Sequence, residues 1–251
     1  MWIAVVAVVV VVVVVIAALV LLMGSNSGGG TSATIGMATP YSQALPLAVT
    51  ADASQSGGPW TLVAGLGLGL ASGVVGPNLA TLGNSDCVFT PAPGSPSTIS
   101  FPGTASTAAA GTVATWIFFA KNASASVILW TEVSDGSAAP LELTTGTNCI
   151  GSFEELSTIS GTSVVDSTVV AAAMNSGGGS GFLLNHTDAS QEFGLFGGVT
   201  ADGDSPVWSV SYTTCAFMAT TGGSGTGINA YYNATTGAVL TAPTVQTGET
   251  C

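Results

Sequence analysis

The opening 23 residues constrain the fold more than any other part of the chain. Met1 to Met23 reads MWIAVVAVVVVVVVVIAALVLLM, without a charged residue, a proline or a glycine. At about 1.5 Å per residue, a helix of this length extends roughly 35 Å, enough to cross a bilayer core of about 30 Å. Val8 to Val15 is a run of eight valines. In water such a run favours β structure and aggregates. In hydrocarbon or a dry apolar bundle, a helix satisfies every backbone polar group within the segment. The sequence therefore predicts an N-terminal hydrophobic helix sited in a membrane or in the core of an assembly. Trp2, Val5, Val8, Val10, Val12, Val15, Leu19 and Leu22 are its expected membrane- or core-facing residues. A core helix of a soluble domain is the alternative, but such helices are usually shorter than this segment.

A secretory signal or N-terminal anchor normally carries Lys or Arg ahead of its apolar run. Here the only Lys or Arg in the chain is Lys121. The expectation is that numbering starts after removal of a short basic leader, with the apolar segment retained. Gly24-Ser25-Asn26 is a poor match to a signal-peptidase site.

The remainder reads as extracytoplasmic. Thirteen acidic residues against one lysine give a formal charge of −12. That excludes nucleic acid as a partner, because phosphates need cations to neutralise them. With 6% charged residues, few ion pairs stabilise the fold, and acidification should cost it little. Cys87, Cys149, Cys215 and Cys251 form no C-x-x-C pair, and the single His186 stands far from each of them, so two disulfides are expected and zinc is not. Three connectivities are open, of which Cys87–Cys149 with Cys215–Cys251 pairs neighbours along the chain. Asn122, Asn185 and Asn233 head Asn-x-Ser/Thr triplets, each where a turn or strand end is expected, and are candidate glycan sites.

Residues 24–34 (GSNSGGGTSAT) read as a flexible hinge, and 35–251 as one β-rich head or as two lobes near 35–150 and 151–251. In 60–82, Gly65, Gly69 and Gly73 have glycine-zipper spacing, while Leu66, Leu68 and Leu70 alternate as a strand does. So much glycine weakens a helix, which favours a pair of strands. Residues 91–102 read as irregular, 112–120 and 126–133 as a hairpin about Asn122, and 141–145 as a strand. A capping box at Ser152 to Glu155 predicts a short helix. Val164 to Met174 predicts another, stopped by Asn175-Ser-Gly-Gly-Gly. Strands are expected at 182–185, 193–196, 207–215, 228–233 and 238–241, with Trp208, Val210 and Tyr212 on one face. The fold class is thus α+β: a long N-terminal hydrophobic α-helix, then a mainly antiparallel β head with one or two short helices.

Signs of catalysis are weak. The chain has no G-x-S-x-G, H-E-x-x-H or P-loop pattern, and His186 sits within a glycosylation triplet. Glu154-Glu155 suit the opening turn of a helix, where the dipole favours carboxylates. Asp202 and Asp204 lack the other ligands of an EF-hand and read as an acidic turn. No catalytic, cofactor or metal site is expected.

The apolar segment, small-residue hinge, β-rich Ser/Thr/Gly head and sequons together resemble archaeal type IV pilins and archaellins. The resemblance is firm over residues 1 to about 34. It implies cleavage of a basic leader, N-terminal helices packed in a filament core, and heads outside that are often immunoglobulin-like. Bacterial type IV pilins usually carry a glutamate near the start of this helix, and Ile3 to Ala7 has none. Ala4, Ala7, Ala17 and Ala18 offer small surfaces for close approach. The function expected is that of a structural subunit in an extracellular, cell-surface filament. Its partners are copies of itself in a helical homopolymer, the membrane before assembly, and attached glycans. A membrane-tethered extracellular binding domain is the alternative.

Overall fold

The structure is a computed structural model that describes residues 31–32, 34–78, 88–96, 98–145, 156–159, 163–198, 205–215 and 224–250. The expected N-terminal helix at 1–23 lies outside these residues, as does the helix expected at Ser152. The α+β assignment is corrected: the structure is mostly β, 46% strand against 20% helix. Among the described residues, no helix is long and apolar enough to cross a membrane.

The head is organised by one antiparallel sheet of nine strands. Its members are β3 (Thr61–Gly69), β5 (Val88–Pro91), β8 (Thr115–Lys121), β9 (Ile128–Ser134), β10 (Ser137–Thr145), β11 (Ser190–Phe196), β12 (Val207–Thr213), β13 (Ser224–Asn233) and β14 (Val239–Thr250). They lie in the order β14-β13-β12-β11-β3-β8-β9-β10-β5. The strands of the second half of the chain, β11 to β14, lie together on one side and those of the first half on the other, and the two groups join where β11 pairs with β3. A boundary near residue 150 therefore separates no two sheets.

Both faces of the sheet are covered. One carries helix α1 (Tyr41–Ala53) and helix α2 (Ser167–Met174). The other carries small sheets built from β1 (Thr31–Ser32), β2 (Ile35–Gly36), β4 (Gly73–Asn78), β6 (Thr98–Phe101) and β7 (Gly103–Thr104). Period-2 alternation sends side chains of one strand to two cores. Trp116 and Phe118 of β8 join the helix-side core, while Ile117 and Phe119 join the opposite one. This double burial explains why β3 and β8 read as near-continuous apolar runs.

Glycine in β3 has a steric purpose. A Cβ on Gly67 would lie 2.7 Å from the Trp116 ring. The strand reading of this region is right, but its two strands do not pair with each other: β3 lies in the large sheet and β4 in a small one. Strand β6 falls within 91–102, read as irregular. Thr31 and Ser32, inside the expected hinge, pair with Val74 and Gly73 of β4.

Helix α1 went unrecognised in the sequence, where Pro46 argues against it. Tertiary bonds supply what its sequence lacks. The N-cap is Pro40, which provides no side-chain acceptor. Instead, the Tyr41 N–H donates to Ser167 Oγ at 3.0 Å and the Ser42 N–H to Asp166 Oδ1 at 3.0 Å. Asp166 is also the N-cap of α2, accepting from the Ser167 N–H at 2.9 Å. One carboxylate thus satisfies orphan donors at the starts of two helices. Asp166→Ala is expected to lower stability by about 2 kcal/mol, roughly two caps' worth, with Asp166→Asn recovering most of it. Urea denaturation of the two variants measures this, and a loss under about 0.5 kcal/mol would count against the shared cap.

The helix after Val164 ends within the Asn175–Gly179 run, as expected: Gly178, at φ +119°, has a non-helical backbone. A second helix, α3 (Ser180–Asn185), follows at once, so the strand expected at 182–185 is helix. Only glycine adopts that φ without strain, which is how the GGG run ends one helix and redirects the chain into the next.

Candidate functional site

Three aromatic side chains tie α1 to the sheet. Tyr41 packs edge-on to Trp116 at 5.7 Å and to Trp208 at 5.3 Å, and the two tryptophans are 6.3 Å apart. Both indole N–H groups are satisfied: Trp116 donates to the Thr39 carbonyl and Trp208 to the Val165 carbonyl, each at 3.0 Å. With its first turn held in this way, the far end of α1 is set over β9 and beside the 54–60 loop.

A cleft of about 570 Å³ opens there. Leu45, Ala48 and Val49 of α1 form one wall; Pro59, Trp60 and Leu62 form another. The Trp60 indole N–H donates to the Gln55 carbonyl at 3.3 Å, which fixes the ring against the loop. Asp52, in the last turn of α1, brings a carboxylate into this apolar lining. It is 7% exposed, and the Thr131 hydroxyl of β9 donates to its Oδ1 at 2.5 Å. Burial pushes its carboxyl up to about 6, against the opposing effect of the Thr131 hydrogen bond.

The next residue of β9 is also a buried acid, on the opposite face. Glu132 is 7% exposed, and desolvation pushes it up to about 7; the Ser134 hydroxyl opposes the shift and Asp135 adds to it. Strand alternation separates the two carboxylates by the thickness of the sheet, so they form no acid–base pair. Lys121 donates to the Leu156 carbonyl at 2.7 Å. No cluster of three metal-ligating side chains occurs among the described residues.

The other residues singled out in the sequence are scattered. His186 follows α3, its ring 4.4 Å from that of Phe182. Asn122 closes the β8–β9 turn, its Oδ1 accepting from the Ser126 and Val127 N–H groups. Asn233 does the same in the β13–β14 turn, accepting from the Thr235 and Thr236 N–H groups. Asn185 ends α3 exposed, with its amide on the Gly181 carbonyl at 2.9 Å. Cys215 is disulfide-bonded. Cys87, Cys149 and Cys251 lie outside the described residues, and so does the pairing. The same holds for Trp2, Val5, Val8, Val10, Val12, Val15, Leu19 and Leu22, and for Glu154, Glu155, Asp202 and Asp204.

Sequence reading missed Asp52 and Trp60. The available signal was a lone acid within an apolar stretch, followed eight residues later by a tryptophan after Gly-Gly-Pro. Comparison with protein-family models, curated proteins and solved structures finds no match to this chain.

Proposed function

We propose that the chain is a structural subunit of an extracellular, pilus-like surface filament. One observation carries this reading: an uncharged apolar segment of 23 residues is joined by a Gly/Ser-rich link to a mostly β head. Such a segment is stable in a membrane before assembly and against its own copies afterwards, since both environments are dry. Head-to-tail contacts that do not close generate a helical polymer. The head suits an exposed site, because its polar surface is mainly Ser, Thr, Asn and Gly and depends little on ion pairs. The sequons at Asn122, Asn185 and Asn233 lie at turns or at the end of a helix, where attached glycans would project outward.

Electron microscopy of material sheared from cells that make the full chain tests the proposal. Fibres are expected from the wild type. Val10→Asp places a carboxylate mid-segment at about 2.5–3.5 kcal/mol per copy on insertion scales, and should abolish fibres while the head still melts cooperatively. Fibres undiminished by Val10→Asp, or none from the wild type, would reject it. A second reading, a binding domain tethered through the same segment, rests on a separate observation, the cleft beside α1.

A further inference from the structure

We infer that the cleft between α1 and the 54–60 loop binds a small organic monocation: an ammonium group on an apolar body, seated with its charge against Asp52. This does not depend on filament assembly.

The size is right for such a ligand, since small-molecule sites run from roughly 300 to 1,000 Å³. The lining sets the chemistry. Most of it is aliphatic or aromatic, with Leu45, Val49, Trp60 and Leu62 presenting carbon surface. Among the described residues, Asp52 is the one ionisable side chain lining it. A sugar would leave most of its hydroxyls facing hydrocarbon, at a cost for each unpaired group. The Gln55 amide, the other polar side chain on the wall, already donates to Ser54 Oγ at 3.3 Å. A ligand with one polar head and an apolar remainder matches this inventory. Its sign follows from the acceptor and from the field around it: the chain carries −12 and a single lysine, which enriches cations near every concave surface.

The geometry also explains how a buried carboxylate is tolerated. Thr131 holds one oxygen, and its hydroxyl has only one proton to give. An ammonium supplies a second charge-assisted bond and offsets the desolvation that disfavours the ionised form. Trp60 adds an aromatic surface to the wall, a favourable neighbour for a cation. Among the described residues, no competing cation faces Asp52 from the packed elements. Lys121 of β8 and Glu132 of β9 project to the other side of the sheet, and Tyr41 lies at the opposite end of α1.

The experiment uses the full chain in detergent and benzylammonium as probe, with benzyl alcohol and benzoate as isosteric neutral and anionic controls and glucose as the sugar control. Binding is followed by ligand-observed NMR and by tryptophan fluorescence, with Trp60→Phe identifying the reporting ring. Benzylammonium should bind at pH 8, at least tenfold tighter than any control. Its affinity should fall about tenfold by pH 5, as the carboxyl takes up its proton. Asp52→Asn keeps the Thr131 hydrogen bond and should remove the preference for the cation over the alcohol. Val49→Arg provides a second variant that leaves the core intact, because Val49 is 53% exposed at the cleft wall. The introduced guanidinium should block benzylammonium while leaving the melting temperature unchanged. Equal binding of alcohol and ammonium, selective binding of glucose, unchanged selectivity in Asp52→Asn, or no ammonium binding at pH 8 would each overturn the inference.

Discussion

Trp208→Ala is expected to lower the stability of the head by about 3–5 kcal/mol, the usual range for removing a buried tryptophan. Three losses combine. The ring is fully buried, so its apolar area and a large cavity count in full. Its edge-on contact with Tyr41 disappears, and with it the hold on the start of α1. The Val165 carbonyl loses its indole donor next to the shared cap at Asp166. For a head of this size each kcal/mol is worth about 2–4 °C, so melting should fall by roughly 6–20 °C. Trp60→Ala is the contrast, since that ring is half-buried at the cleft and should cost about 1 kcal/mol or less. Calorimetry of both variants separates them. If Trp208→Ala melts within about 2 °C of wild type, the aromatic triad is not what fastens the helix to the sheet.

The same triad shows which parts of the fold were legible in the sequence. Trp208, Val210 and Tyr212 alternate, and their strand is there; so is the hairpin around Asn122, where β-branched and aromatic runs flank a short polar turn. These elements are specified locally. Helix α1 is not, because its caps come from residues 166 and 167, more than a hundred positions away along the chain. No window of sequence contains that bond. The GGG run is legible as a stop, since Gly178 ends the first helix; the second helix that begins at Ser180 is not, because 182–185 reads as a strand. Gly65 and Gly67 serve differently, in a strand, where missing side chains make room for Trp116 and Phe118 of the neighbouring strand.

The cleft was less legible still. A helix no sequence pattern announces supplies Asp52, a loop supplies Trp60, and Thr131 comes from a third element. Only their meeting distinguishes Asp52 from any other acid. The apolar N-terminal segment is the converse case, since its meaning is carried by composition alone and it can be read without any tertiary contact.

Composition implied a fold indifferent to acid, and the two buried carboxylates sharpen this into a direction: the head should be more stable at pH 4 than at pH 8. In the unfolded chain Asp52 and Glu132 titrate near 4. In the folded head, burial pushes them up to about 6 and about 7. Between those limits the native state binds more protons than the unfolded one, so stability declines as pH rises. The contribution is fully present below about pH 4 and is lost once pH passes 6 for Asp52 and 7 for Glu132. At about 1.4 kcal/mol per pH unit, Asp52 accounts for about 3 kcal/mol and Glu132 for about 3–4 kcal/mol. Glu132→Gln is expected to flatten the upper part of the profile, from about pH 5 to 7, and to raise stability at pH 8. Asp52→Asn should flatten the lower part. Thermal melts of wild type, both single variants and the double variant, taken from pH 4 to 8 at constant ionic strength, read this directly. A wild-type melting temperature that climbs towards pH 8 would mean that burial does not hold either carboxyl above its value in the unfolded chain, and that the chemistry assigned to Asp52 and Glu132 is wrong.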